Sequence, residues 1–255
     1  MNEIILFAVG LIVGAMNSIA GGGMLIGFPV LIATGLTPLI ANATSSIIVL
    51  PGQITSAYGY RKYLRTVPRR YILLLIPCFI GGGMGALLLR STPSDKFSAL
   101  IPWLIFMAVI LFVFQPFLHK QLNKHLHGPA KHRQRIQPLV LMGIAMLPIS
   151  IYGGYFGAGY GFVMLALFGF TRLHDMHKIN GMKNLAVIAV TSAGLICLWT
   201  SGLIDWHHGI FMAAGSAFGG YYGSVVTQRM SNHAVRVFVA VIGFGGVIYL
   251  ALNSY

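Results

Sequence analysis

The 255-residue chain is 56% apolar and only 8% charged, with 17 Lys and Arg against 4 Asp and Glu and a formal net charge of +13. Its mean hydropathy is +0.80, and a chain of this composition cannot cover itself with a hydrated surface, which excludes a soluble enzyme, a secreted disulfide scaffold and a disordered protein. In a soluble domain the positive charge would suggest nucleic acid; here Lys and Arg collect between apolar runs, so they report membrane topology and no nucleic-acid partner is expected.

In chain order, apolar segments fall at roughly 4–35, 38–60, 71–89, 97–117, 138–170, 176–200, 209–227 and 234–252, most of them near the length of about 20 residues that crosses a bilayer. The first and fifth are too long. A run of about 33 residues at 1.5 Å per residue would reach about 50 Å, against a hydrocarbon core of about 30 Å. Each is interrupted at its middle by glycine, Gly21-Gly22-Gly23 in one and Gly157-Ala158-Gly159-Tyr160-Gly161 in the other. Glycine weakens a helix, so both are expected to fold back as broken hairpins. The following helices are expected to start at Thr37-Pro38 and at Asp175. Cys78 and Cys197 fall inside apolar runs and read as small buried hydrophobes.

A constant offset of 138 superposes Thr37 on Asp175, Asn42 on Asn180, Gly81 on Gly219 and Gly85 on Gly223. The chain is therefore read as a duplication, 1–118 and 138–255, joined by a basic cytoplasmic loop at 119–137. The histidines of that loop lack metal-ligand spacing and acidic company, so no metal site is expected. With both long segments folded back, fifteen Lys and Arg fall inside and only Arg90 and Lys96 outside; straight crossings give a much poorer bias. The expected fold is an all-α polytopic membrane protein of two inverted-topology repeats, each a Gly-broken re-entrant helical hairpin plus three transmembrane helices, with both termini outside.

That architecture puts a substrate near the midplane, where half-helix ends converge. Helices starting after Gly23 and Gly161 would present unpaired N–H groups, which attract oxyanions. The candidate substrate-binding residues are Asn17, Gly21, Gly22, Gly23, Asn42, Thr44, Ser45, Gly157, Gly159, Gly161, Asn180, Lys183 and Asn184. Asn42 to Ser46 and Asn180 to Asn184 lie about 7 to 13 Å into their helices, a depth at which polar groups need partners, either a ligand or the hairpin tips and neighbouring helices. Lys183 reads either as an anion ligand or as a side chain snorkelling to the interface. The acids Glu3, Asp95, Asp175 and Asp205 all sit at loops or helix ends, which disfavours cation transport. No catalytic constellation or phosphate loop is present, so neither an enzyme nor a cofactor is expected. A passive anion channel would need rings of Arg or Lys along the spans, and only Lys183 is a candidate. The pairs Gly81/Gly85 and Gly219/Gly223 read as close helix packing within the protein, or alternatively as a homodimer face.

Asn17-Ser18-Ile19-Ala20-Gly21-Gly22-Gly23 with Pro29, Ala41-Asn42-Ala43-Thr44 and Pro51-Gly52 resemble the first repeat of the sulfite exporter TauE/SafE family, also called toluene-sulfonate uptake permeases. Tyr152-Gly153-Gly154-Tyr155-Phe156-Gly157-Ala158-Gly159, Asn180-Gly181-Met182-Lys183-Asn184 and Ser201-Gly202-Leu203-Ile204-Asp205-Trp206 resemble the second. The resemblance covers essentially the whole chain. It implies a carrier in the bacterial inner membrane for a small sulfur-containing anion, either an exporter of sulfite or an uptake permease for organosulfonates, with the anion and the lipid bilayer as its partners.

Overall fold

A computed structural model describes residues 2–19, 21–104, 106–107, 110, 139–171, 173 and 175–229. The basic loop and the last apolar segment lie outside the described residues, as do Arg172 and His174. Helices α1 (Glu3–Ile19) and α2 (Met24–Ala33) come from the first long segment, and α3 spans Pro38–Gly59. Then follow a short α4 (Arg61–Leu64), a 3-10 turn (Arg69–Leu74) and α5 (Leu75–Ser91), and residues 94–104 form α6. The second half gives α7 (Leu139–Tyr155), α8 (Tyr160–Gly169), α9 (Met176–Leu198) and α10 (Trp206–Thr227). No strand occurs among the described residues.

Both long apolar segments break at glycine, as their length requires. Gly21, Gly157 and Gly159 take positive φ at the breaks, whereas Gly22 and Gly23 do not. The expected start of the eighth helix is corrected: Gly159 is its N-cap and Gly161 already lies inside it. Pro38 occupies the first turn of α3, but Thr37 makes no side-chain cap there. Asp175 and Asp205 do cap, accepting from His177 N at 2.8 Å and His208 N at 2.9 Å. The basic stretch after α3 is partly helical rather than an open loop, because Tyr60 and Leu64 seat α4 against Gly181 of α9.

Contacts between helices follow a pattern that survives exchanging the two halves. As α1 packs on α10, so α7 packs on α5; as α3 packs on α10, so α9 packs on α5; and α3 crosses α9. Small residues make these crossings close, the usual solution where surrounding lipid removes the hydrophobic drive between helices. Gly10 and Gly14 of α1 abut Met212 and Ser216, and Gly215, Gly219 and Gly223 of α10 abut Phe7, Leu11 and Ala15. Gly81 and Gly85 of α5 abut Ser150 and Ile151 of α7. The Gly81/Gly85 and Gly219/Gly223 faces are thus taken up within one chain, and a homodimer through them would have to displace α7 or α1.

Outward, α5 and the turn before it expose Ile72, Leu73, Ile76, Phe79, Ile80, Leu87 and Leu88, and α7 exposes Val140 and Ile144. Two helical stretches among the described residues, Arg69–Ser91 and Met176–Leu198, are long and apolar enough to cross a membrane, and four shorter apolar helices accompany them. Cys78 is buried as expected, while Cys197 is only half-buried.

Candidate functional site

The two glycine breaks meet each other. A Cβ built on Gly21 would stand 2.7 Å from the Gly161 Cα, and one built on Gly161 would stand 2.8 Å from the Gly21 Cα. Gly22 lies against the ring of Phe162. Where the breaks touch, four helix ends converge: α1 and α7 arrive with their C-terminal carbonyls, and α2 and α8 leave with their N-terminal first turns, in which the N–H groups of Leu25, Ile26 and Phe162 close tight turns on Gly22, Gly23 and Gly159 O.

Carbonyls at a buried helix end need donors, and both ends receive them from the opposite half of the chain. Asn42 Nδ2 donates to Tyr155 O of α7 at 2.8 Å. Asn180 Nδ2 donates to Ile19 O of α1 at 3.4 Å and to the Tyr60 hydroxyl at 3.1 Å. The two asparagines, 138 positions apart, therefore cap in reciprocal fashion. Lys183 adds to one side only. Its Nζ is 2.8 Å from Asn17 O and 3.3 Å from Ser18 O, an amine at a helix C-terminus, where the macrodipole favours positive charge.

Lys183 is 0% exposed, so it does not snorkel, and its Nζ donates to two backbone carbonyls. The same holds for the other proposed ligands: the donors of Asn42 and Asn180 are engaged with the protein. Asn184 Nδ2 donates to Ser56 Oγ at 2.6 Å, and Ser56 shares a hydrogen bond of 2.7 Å with Ser18. Thr44 Oγ1 accepts from Asp205 N at 3.0 Å and so ties α3 to the start of α10. Ser45 Oγ donates to Asn42 O. Gly157 lies at the end of α7, where its N–H returns to Tyr152 O.

Asn17 stands apart. Its Oδ1 accepts from Gly23 N at 2.8 Å, while its Nδ2 is buried with no partner. The Tyr160 hydroxyl, in the first turn of α8, is likewise buried and unpaired. Asn180 Oδ1 and Asn184 Oδ1 are two unpaired acceptors. Sequence reasoning missed Tyr60 and Ser56 as members of this cluster, and the unpaired hydroxyl of Tyr160, whose ring lies against Gly153 of α7. Ser56 was visible as a hydroxyl inside an apolar run, but nothing local distinguishes the two tyrosines from core aromatics. No group of three or more His, Cys, Asp or Glu side chains that could hold a metal occurs among the described residues. Away from the break, Asp205 makes an ion pair with His208 at 2.9 Å. Partial burial would raise the Asp205 carboxyl, but hydrogen bonds from the His208 amide and ring, with both neighbouring histidine charges, hold it below the ordinary carboxylate value.

An apolar helical exterior around polar groups gathered at two helix breaks is the construction of a membrane transporter. The profile of the sulfite exporter TauE/SafE family matches residues 6–250, and the chain belongs to that family. It is 32% identical over 250 residues to a "Probable membrane transporter protein" of Haemophilus influenzae, covering 94% of this chain and 91% of that one. It is 26% identical to the probable membrane transporter protein YfcA of Escherichia coli K12, over 93% of this chain and 85% of the other. The probable membrane transporter protein YunE of Bacillus subtilis is 25% identical, over 95% and 94%. No solved structure matches the chain.

Proposed function

We propose that the protein is a secondary transporter of a small sulfur-containing anion, sulfite or an organosulfonate, in the bacterial inner membrane. It works by alternating access of two inverted repeats about the contact between Gly21 and Gly161. The observation that carries this reading is the contact itself, which brings the starts of α2 and α8 to one place, and two helix N-termini there favour an anion. Asn17, whose Oδ1 already binds Gly23 N and whose Nδ2 is a buried donor without a protein partner, is the side chain best suited to join them. Lys183, Asn180 and Asn42 act one layer further out: they hold the carbonyl ends of α1 and α7 in place, and Lys183 contributes charge rather than direct contact. Support for the inverted repeat comes from the exchange of contacts between halves and from the fifteen-to-two distribution of Lys and Arg.

The test is flux of labelled sulfite and of a panel of sulfonates in proteoliposomes, in both directions. Movement of at least one of them above protein-free vesicles is expected. Permeation of none, with folded protein, would overturn the reading.

A further inference from the structure

We propose that Lys183 carries the coupling proton: its amine is charged in the anion-loaded protein and releases that proton to water when the protein returns empty, so that one proton accompanies each anion. The inference rests on the anion-transport reading above.

The amine lies seven residues into the 23-residue apolar helix α9 and is 0% exposed. Among the described residues no carboxylate bonds to it: Asp175, which caps α9 about two turns away, accepts from His177 N, and Asp205 pairs with His208 at the start of α10. A charge buried without a counter-ion is costly, and intramembrane ionisable groups are retained for a task. Here the substrate is the negative charge that comes and goes. Arginine would hold its charge throughout, whereas an amine can become R–NH2 by giving H⁺ to water. Both R–NH3⁺ and R–NH2 have enough N–H bonds for the two carbonyls of α1, so the helix end stays capped in either form. The repeat equivalent of Lys183 is Ser45, which has no such chemistry and bonds its own helix; this limits the coupling to one proton.

Ionisable groups on the elements packed against α9 do not compete. Glu3 opens α1, about four turns from Asn17. Arg61 and Lys62 of α4 are exposed, and Arg90 of α5 reaches Cys197 O near the far end of α9. The remainder are phenols and a thiol rather than carboxylates: Tyr58 of α3 and Tyr60 at its C-cap, Tyr63 of α4 beside His177, Cys78 of α5, Tyr152 and Tyr155 of α7, and Tyr160 of α8. Tyr60 is linked to the site through Asn180.

The deciding experiment compares, in one set of proteoliposomes, net movement of 35S-sulfite under an imposed pH gradient with sulfite–sulfite exchange at equal pH. Exchange never requires the empty protein to return. Protonation of sulfite itself affects every variant alike. Lys183→Arg keeps the charge and the donors but not the ability to release a proton. It should exchange at a rate within about threefold of wild type while net flux falls by about tenfold or more, a coupling-sized effect. Full net flux in Lys183→Arg would show that the residue is only a helix cap and would overturn the proposal. So would loss of exchange together with net flux in folded Lys183→Arg. Should arginine not fold, Lys183→Met, which never carries the proton, serves instead: loss of gradient-driven flux with exchange retained supports the proposal, whereas flux equal to wild type, or loss of flux and exchange together, overturns it. Wild-type protein that moves no sulfite at all would refute the transport reading for sulfite, an outcome separate from these.

Discussion

Replacing Gly21 by alanine should damage the protein through two separable terms. Gly21 holds φ at +97°, a conformation that costs an L-residue about 1–2 kcal/mol. The added Cβ would also stand 2.7 Å from the Gly161 Cα, where carbons ordinarily meet at about 3.5–4.0 Å. The two breaks must then part by about 1 Å, and overpacking of that kind costs about 1–3 kcal/mol. The sum, about 2–5 kcal/mol, is large for a single substitution. Two controls isolate its parts. Gly35→Ala carries a φ of +93° with nothing within 4 Å, hence strain alone; Gly161→Ala carries the 2.8 Å overlap without positive φ, hence overlap alone. Thermal unfolding in detergent should place Gly21→Ala below wild type by roughly the two controls' combined loss, and so below either control. Sulfite exchange should fall sharply in Gly21→Ala and Gly161→Ala and persist in Gly35→Ala. Equal stability and activity of Gly21→Ala and Gly35→Ala would refute the contact between the breaks.

Asn42→Ala leaves Tyr155 O without its donor and should cost about 1 kcal/mol, read as a lower unfolding temperature; Asn42→Asp, which cannot donate, should do no better. Asp205→Ala removes the cap on α10 and should cost about 0.5–2 kcal/mol. Because the folded Asp205 carboxyl is held below its ordinary value, its contribution is present above the ordinary carboxylate range and is lost as pH falls through the folded value; the stability gap between wild type and Asp205→Ala should therefore close under acid, and a gap that widens would reverse the assignment. In a background lacking Cys78 and Cys197, single cysteines at Trp206 and Arg65 should react with an impermeant reagent from opposite sides, Trp206 from outside; labelling of both from one side would sink the inverted arrangement.

Much of this organisation is legible along the chain because it is local. Two apolar segments too long to cross once, glycine at their middles, and Asn42 and Asn180 at matched depth all follow from spacing. What the sequence does not disclose is where the polar side chains point. Asn42 meets Tyr155 across 113 positions, Asn180 meets Ile19 across 161, and Lys183 meets Asn17 across 166. A lysine in an apolar run is conspicuous, but its environment of two carbonyls depends on where another helix ends. For that reason a direct anion ligand and a snorkelling charge are equally natural from sequence, and neither describes the bonds Lys183 makes. Likewise, the run of basic residues after Tyr60 conceals the single turn of α4, since four residues have too little periodicity to register and their helix is held by packing against α9.

The reciprocal caps also set a timetable for assembly. When translation releases α7 and α8, Asn42 is already in place, and the end of α7 can be closed as soon as it forms. The end of α1 has no such advantage: its donors, Asn180 and Lys183, lie 161 and 166 positions downstream of Ile19 and Asn17. At about 5–20 residues per second, α1 waits about 8–33 s with its terminal carbonyls unmet. Its main packing partner, α10, is synthesised later still. Thus α1, synthesised before the other described helices, is among the last to be secured, and during that interval the nascent half-protein depends on water, lipid headgroups or the insertion machinery to shelter an end that the finished molecule shelters for itself.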